Sequence, residues 1–158
     1  MTDTPAAPET LSDPASDGAP TSRPQTEVDR IAERYFDAAV ALSPINATYL
    51  GVPGGEEDLD DLSPAGNAAA SQLRRGALAE LASAAPADDV DRVTVAAMTE
   101  RLQLAEDRYA AGLDEMSLNV LASPLQSVRD VFDLMSQDTE DDWRVFTCLL
   151  YTSPSPRD

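Results

Sequence analysis

Three dense clusters of carboxylates are the groups in this chain that could take part in acid–base catalysis or bind a cation. In chain order they are Glu56, Glu57, Asp58, Asp60 and Asp61; then Asp88, Asp89 and Asp91; then Asp138, Glu140, Asp141 and Asp142. Paired carboxylates can transfer protons in catalysis, and carboxylate oxygens bind hard cations such as Ca²⁺. The first cluster lacks the alternating ligands and central glycine of an EF-hand loop, so we interpret it as a solvated acidic loop. The other two lie where helices are predicted to begin, where negative charge stabilises the helix dipole.

The other groups that enzymes commonly use are almost absent. The sequence has no histidine, and its one cysteine is Cys148. This excludes a His-Glu zinc motif, a Ser-His-Asp triad and a Cys-His pair within these 158 residues. The sequence therefore offers no catalytic, cofactor-binding or metal-ligating residue, and we expect no cofactor in this chain.

The charge of the chain limits its partners. Its formal net charge is −18, which repels both the phosphate backbone of nucleic acids and anionic lipid. The N-terminus has no basic region followed by an apolar run, and no segment is long and apolar enough to cross a bilayer. We therefore expect no nucleic acid partner, no membrane partner and a cytoplasmic protein.

Capping residues and prolines predict the helices that carry these clusters. Thr26 caps a first helix that ends before Pro44, and three Ser-Pro pairs begin further helices at residues 43, 63 and 123. Asp88 and Asp89 lead a long helix to about residue 111, and Thr139 caps a last one. No hairpin signal occurs, so the sequence predicts an all-α fold: a truncated antiparallel array of about five to six helices.

Apolar spacing predicts which side chains are buried. Along the helix that begins at residue 88 we expect a single buried stripe, made of Val90, Val93, Ala97, Met98, Leu102, Ala105 and Tyr109. Residues 113–122 fit a short extended or irregular segment that is also buried, through Met116, Leu118, Val120 and Leu121. Tyr35, Tyr49 and Tyr109 are expected in the core or at its edge. Tyr49 and Asn119 are also conceivable pocket-lining residues in a longer parent protein.

Three segments of different character divide the chain. Residues 1–25 are rich in proline and acids and hold one large aliphatic residue, Leu11, so they are predicted to be a disordered leader. Residues 26–146 are the predicted helical part of a larger domain. Residues 147–158 contain C-L-L-Y-T-S-P-S-P-R-D, which resembles a tail found on translated metagenomic reads where adapter DNA is read as coding sequence. We expect this segment to be non-native.

Three further stretches carry a family resemblance. They are A-L-S-P-I-N-A-T-Y-L-G at 41–51 with D-D-L-S-P-A-G at 60–66; D-R-V-T-V-A-A-M at 91–98 with R-L-Q-L at 101–104; and L-N-V-L-A-S-P-L-Q-S-V-R-D-V-F-D-L-M at 118–135. Together they resemble the N-terminal region of the bacterial domain-of-unknown-function 885 family, over about residues 27–146.

This resemblance implies an all-helical, zinc metallopeptidase-like parent that acts on a peptide-like substrate. The family's zinc motif, His-Glu followed by Gly-His, lies far downstream, so no catalytic residue of the family maps onto this chain. The chain would then be a non-catalytic scaffold fragment that forms part of a substrate cleft wall. A different class of function stays open, namely a self-contained acidic helical module for protein interaction.

The late helices are expected to expose an apolar patch over residues 125–146. Its members are Leu125, Val128, Phe132, Met135, Trp143 and Phe146. The alanine-rich early helices offer little surface to cover such large side chains, and each exposed one forfeits about 1.5–3 kcal/mol of burial. Self-association through this patch is a further expectation.

Overall fold

Six α-helices make up the fold in a computed structural model, which describes residues 23–54, 58–116 and 118–152. The helices are α1 (Glu27–Leu42), α2 (Pro44–Leu50), α3 (Pro64–Ser83), α4 (Asp89–Ala110), α5 (Pro124–Leu134) and α6 (Glu140–Thr152). No strand occurs in these described ranges. The predicted all-α class with about six helices is therefore confirmed.

Local capping sets the helix starts, as the sequence predicted. Thr26 and Asp29 form a capping box at α1. Ser43 and Ser63 each precede a proline at the first helical position and accept hydrogen bonds from the backbone N–H groups of α2 and α3. These bonds satisfy donors that have no partner inside the helix. Gly51 ends α2 in the left-handed region, with a φ of 68° that glycine adopts without a steric penalty.

Asp60 fixes the beginning of α2 from the loop that follows the helix. One of its oxygens accepts a hydrogen bond from the Ser43 hydroxyl at 2.6 Å, and the other accepts one from the Ile45 N–H at 3.0 Å. The interpretation of the first acidic cluster as wholly solvated is therefore wrong for Asp60. Asp58 and Asp61 are exposed, and Glu56 and Glu57 lie outside the described residues.

Gly66 lies where no larger residue fits. A Cβ atom at this position would overlap the backbone carbonyl of Asp61. We expect Gly66→Ala to lower the free energy of unfolding by about 1–3 kcal/mol, since the loop must move away from α3. Chemical denaturation measures this directly.

Gly76 is the matched control on the same helix, because a Cβ there meets nothing within 4 Å. Gly76→Ala should raise the stability by about 0.8–1 kcal/mol through helix propensity. Equal effects of the two substitutions would contradict the close approach at Gly66.

Two separate apolar clusters form the core. The first joins α1, α3 and α4 through Val28, Ile31, Ala77, Leu81 and Leu102. The second joins α2, α5 and α6 through Ile45, Val131, Phe132, Met135 and Leu149. They share no buried residue. The helix α2 packs against both α1 and α5, so it connects the two halves of the fold.

The stripe predicted on α4 is only half right. Met98, Leu102, Ala105 and Tyr109 lie on the side turned to the other helices, whereas Val90 and Val93 are 53% and 68% exposed and Ala97 is also exposed. The helix carries apolar residues on two sides, and α3 packs on one of them. Tyr49 is likewise exposed, at the surface rather than in the core.

The segment between α4 and α5 is exposed rather than buried. Met116, Leu118, Val120 and Leu121 have between 73% and 90% of their surface accessible. No described helix packs over these four side chains. The prediction that they are buried is therefore wrong.

The apolar patch predicted over 125–146 is also smaller than expected. Leu125 and Trp143 are exposed, but Phe132 and Met135 are buried, and Val128 and Phe146 are half-buried. The prediction is wrong for Phe132 and Met135 because α2 and α6 cover them.

The ends of the chain are described only in part. Residues 1–22 of the predicted leader lie outside the described residues, while Arg23 has defined contacts with acidic side chains. At the other end α6 continues to Thr152, with Leu149 buried in the second cluster. Within the described ranges, no helix has both the length and the apolar character needed to cross a membrane.

Candidate functional site

A fully buried carboxylate, Asp91, ties the start of α4 to the start of α1. Its oxygens accept hydrogen bonds from the Thr26 hydroxyl at 2.8 Å and from the Ala87 N–H at 2.8 Å. The guanidinium of Arg23 lies 3.2 Å from the same carboxylate and donates to Asp88 at 2.8 Å. We call Arg23, Thr26, Asp88 and Asp91 the Asp91 network.

Charge pairing in this network governs the protonation of Asp91. Burial acts to raise the pKa of Asp91, but the hydrogen bonds from Ala87, Thr26 and Arg23 outweigh it and hold that pKa below its ordinary value. Asp29 is a third carboxylate beside Arg23, after Asp88 and Asp91. The second acidic cluster was interpreted as a helix-start charge, which describes Asp88 but misses the tertiary role of Asp91.

The Asp91 network predicts a loss of stability in acid. Because the folded pKa of Asp91 is lowered, its contribution is complete above the unfolded pKa, about 3.9, and is lost as pH falls through the folded pKa. We expect the melting temperature of the wild type to fall progressively below about pH 5. Thermal denaturation between neutral pH and about pH 3 measures this.

Two variants isolate the contribution of Asp91. Asp91→Asn should lower the melting temperature at neutral pH and flatten its dependence on pH in acid. Asp89→Asn removes an exposed charge two residues earlier in the chain and should leave the profile close to that of the wild type. Identical profiles for Asp91→Asn and the wild type would refute the assignment.

A second, part-buried network joins α3 to α4. Glu106 accepts a hydrogen bond from the Ser71 hydroxyl at 2.7 Å and another from Nε of Arg74 at 2.6 Å. The Arg74 guanidinium also lies over the ring of Tyr109, 6.0 Å from its centroid. We call Ser71, Arg74, Glu106 and Tyr109 the Glu106 network.

The Glu106 network is fully engaged in holding two helices together. Burial acts to raise the pKa of Glu106, but Ser71 and Arg74 outweigh it and the pKa stays below its ordinary value. Burial also raises the pKa of the neighbouring Tyr35. Glu106 acts in the same direction on this pKa, and Arg74 acts in the opposite direction. An ionised, paired glutamate of this kind stabilises structure and is poorly placed to accept a proton from a substrate.

The third acidic cluster serves the start of α6. Asp142 accepts hydrogen bonds from the Ser136 hydroxyl at 2.8 Å and the Thr139 N–H at 2.9 Å, and Thr139 accepts one from the Asp142 N–H at 3.1 Å. The Ser136 hydroxyl is the main cause of the lowered pKa of Asp142. The predicted cap at Thr139 is present, and this carboxylate acts as a local cap.

Asn119 has a structural task as well. Its side-chain oxygen accepts hydrogen bonds from the N–H groups of Leu121 and Ala122, and its amide donates to the Ala122 carbonyl. The Gln126 amide in turn donates to the Asn119 carbonyl at 3.2 Å. These bonds hold the turn that leads into α5, so the suggested pocket-lining residue is committed to the backbone.

The described residues do not fit a zinc site. No group of three or more His, Cys, Asp or Glu side chains in the described part of the chain is placed to hold a metal ion. Asp91 and Glu106 each have an arginine beside them, and a cation would compete with it for the carboxylate oxygens. Within the same residues no buried side-chain nitrogen or oxygen lacks a hydrogen-bond partner.

An open groove between α1 and α4 is the other notable surface feature. It has a volume of about 820 Å³. Its floor includes Phe36 from α1 and Met98 from α4, and Glu33, Asp37 and Arg101 also line it. Phe36 is 46% exposed.

Comparison with known families decides the relationship. The family model described as "Bacterial protein of unknown function (DUF885)" matches residues 44–154, more than half of the chain. The chain belongs to the DUF885 family. None of the curated proteins matches it.

The match to DUF885 begins at the first residue of α2, so α1 precedes it although α1 contributes to the first apolar cluster. It extends to residue 154, within the segment that resembles adapter read-through, and the origin of that segment stays a prediction. Three residues inside the match have structural roles: Asp60 holds the start of α2, Gly66 makes a close backbone contact, and Asn119 holds a turn.

Sequence reasoning missed the partners of Asp91 and Glu106. A signal existed for Glu106, because it lies at helical spacing among Leu102, Ala105 and Tyr109, which were predicted to be buried. A charged residue inside an apolar stripe needs a partner. No comparable signal identifies Arg23 as the partner of Asp91, which is 68 positions later in the chain but 3.2 Å away.

Proposed function

We propose that this chain is a helical scaffold element of a zinc-dependent, peptidase-like hydrolase and supplies no catalytic group itself. The observation that carries this proposal is the pairing of two carboxylates that lie between helices: Asp91, which is buried, and Glu106, which is part-buried, each have an arginine beside them. Paired groups of this kind fix helix positions. Membership of the DUF885 family supports the proposal, because the resemblance to that family implies that such helices line a substrate cleft.

In this proposal the chain acts by positioning. The Asp91 network sets α1 against α4, and the Glu106 network sets α3 against α4. Zinc, held by residues outside those described here, would activate water and polarise the scissile carbonyl of a peptide-like substrate. The rigidity of the three helices would keep the cleft wall in place, because a small displacement of binding residues costs much of the rate.

A second candidate is a self-contained acidic module for protein interaction. The run of exposed apolar side chains between α4 and α5 favours it, since Leu118, Val120 and Leu121 are 79%, 90% and 88% exposed. Contiguous exposed apolar surface commonly marks an interaction site. Self-association through such surface, including the exposed Leu125 and Trp143, is part of this alternative.

Extending the reading frame in the source DNA distinguishes the two. The scaffold proposal expects a His-Glu motif followed by Gly-His on downstream helices, and an extended protein that binds zinc and cleaves a peptide. A native stop close to residue 150 with no zinc motif would overturn the proposal and favour the interaction module.

Zinc titration of the 158-residue chain tests whether the zinc-binding residues lie outside it, as the scaffold proposal requires. By calorimetry at neutral pH we expect no zinc binding with micromolar or tighter affinity. The chain has no histidine, and the carboxylates of Asp91 and Glu106 are paired with arginines. Micromolar or tighter affinity would show that the metal site is in this chain and would sink the scaffold assignment.

A further inference from the structure

We propose that the groove between α1 and α4 is a docking site for an amphipathic α-helix of a partner protein, one whose apolar face is flanked by arginine or lysine. This goes beyond the scaffold role and does not depend on zinc chemistry. The proposal rests on the shape of the groove, on the exposure of its apolar floor and on the signs of the charges along its two edges.

The size and shape of the groove suit a helix. Both α1 and α4 pack on α3, and the space between them on the side lined by Phe36 and Met98 measures about 820 Å³. A helix about 10 Å across would place one face in this open space and leave the opposite face in solvent. A helix lying there would add a fourth member to α1, α3 and α4 and would cover Phe36.

The two edges of the groove carry opposite charges. Glu33 and Asp37 lie one turn apart on the α1 edge and are both exposed. Glu33 accepts a hydrogen bond from the neutral Gln25 amide, so its charge is not neutralised by that contact. Arg101 lies on the α4 edge, and the exposed Val90 is on the same side of the helix about three turns earlier.

These charges define the partner. An apolar helix face would cover Phe36 and Met98, and basic residues one turn apart on its flank would meet Glu33 and Asp37. The net charge of −18 would speed the approach of a basic partner. Helices that bind in such grooves use apolar anchors at one-turn and two-turn spacings.

Other occupants fit less well. Residues 1–22 contain no arginine or lysine to meet Glu33 and Asp37. A second copy carries the same −18 charge, and two concave grooves placed face to face would leave the floor of each unfilled.

Direct binding to designed helices tests the proposal. Two fluorescein-labelled peptides of about 18 residues, long enough for five turns, share an identical leucine and alanine face and a neutral second flank. They differ only in the flank that would face Glu33 and Asp37, which is arginine in one and glutamate in the other. We expect the wild-type chain to bind the arginine-flanked peptide at least about 10-fold more tightly by fluorescence anisotropy. Equal binding of the two peptides, or binding of neither, would overturn the proposal.

Charge reversal separates groove binding from general attraction to an acidic protein. Glu33→Arg with Asp37→Arg should reverse the preference toward the glutamate-flanked peptide. The control is Glu100→Arg with Asp107→Arg, which makes the same change of charge at exposed positions on the outer side of α4 and should leave the preference for arginine intact. Equal effects of the two double variants would reduce the binding to net charge and contradict the groove.

Removal of the aromatic anchor tests the apolar floor. Phe36→Ala should weaken binding of the arginine-flanked peptide about 10-fold or more, as expected for a central aromatic anchor, while Leu121→Ala should have no effect. Circular dichroism confirms that each variant keeps its helices. If sedimentation instead shows a wild-type dimer that Phe36→Ala dissociates, the groove belongs to a second copy and the partner helix is refuted.

Discussion

Replacement of Phe132 by alanine will lower the free energy of unfolding by about 3–5 kcal/mol. Phe132 is 8% exposed at the centre of the cluster that joins α2, α5 and α6. Its ring meets Phe146 edge to face, with 5.0 Å between the centroids, an arrangement worth about 0.5–1.5 kcal/mol beyond the buried area. Urea denaturation followed by circular dichroism gives the change.

Trp143 is the control for the loss of an aromatic ring near the same site. It lies 5.4 Å from Phe146 between ring centroids but is 47% exposed. Trp143→Ala should therefore cost clearly less than Phe132→Ala, since less surface is buried and no internal cavity is created. A larger loss for Trp143 would mean that the second cluster is centred elsewhere.

Replacement of Leu81 by alanine will have the largest effect in the other half of the molecule. Leu81 is 2% exposed on α3 and packs in the cluster with α1 and α4. We expect a loss of about 2–5 kcal/mol from the missing methyl groups and the cavity they leave. Leu104→Ala on α4, where the side chain is 51% exposed, should change stability by less than about 0.5 kcal/mol.

The two substitutions together test whether the halves of the fold open separately. Because the clusters share no buried residue, Phe132→Ala should reduce amide protection mainly in α5 and α6. Leu81→Ala should reduce it mainly in α1, α3 and α4. Native-state hydrogen exchange resolves such units. Uniform loss of protection in both variants would show that α2 couples the clusters into one cooperative unit.

Helix-capping rules explain only part of the D-D-L-S-P-A-G stretch, which contains Asp60 and Gly66 and lies within the DUF885 match. The D-D-L-S-P-A-G stretch predicts a helix start, and Ser63 does cap α3. The reason for the glycine and the first aspartate is tertiary, because Gly66 lies against the Asp61 backbone and Asp60 holds the beginning of α2. Sequence spacing alone does not reveal contacts of this kind.

The all-α class and the positions at which the helices begin could be predicted from the amino-acid sequence alone. These features depend on residues within one turn of each other, such as the hydroxyl of Thr26 and the carboxylate of Asp29, or Ser43 followed by a proline. Capping bonds and the missing N–H of proline act over a few ångströms. These local interactions do not depend on contacts between helices. The helix starts that they set can therefore be predicted without the tertiary structure.

The buried apolar sides of the helices and the pairing of the charges depend on contacts between helices, which the sequence did not reveal. On α4 both Val93 and Met98 are apolar, but α3 covers only the side that contains Met98, so Val93 is exposed. Asp91 became a buried anchor because Arg23 and Thr26 approach it from another helix start. Periodicity shows that a helix has an apolar side, whereas burial requires a neighbour, and the neighbour is set by packing across the whole chain.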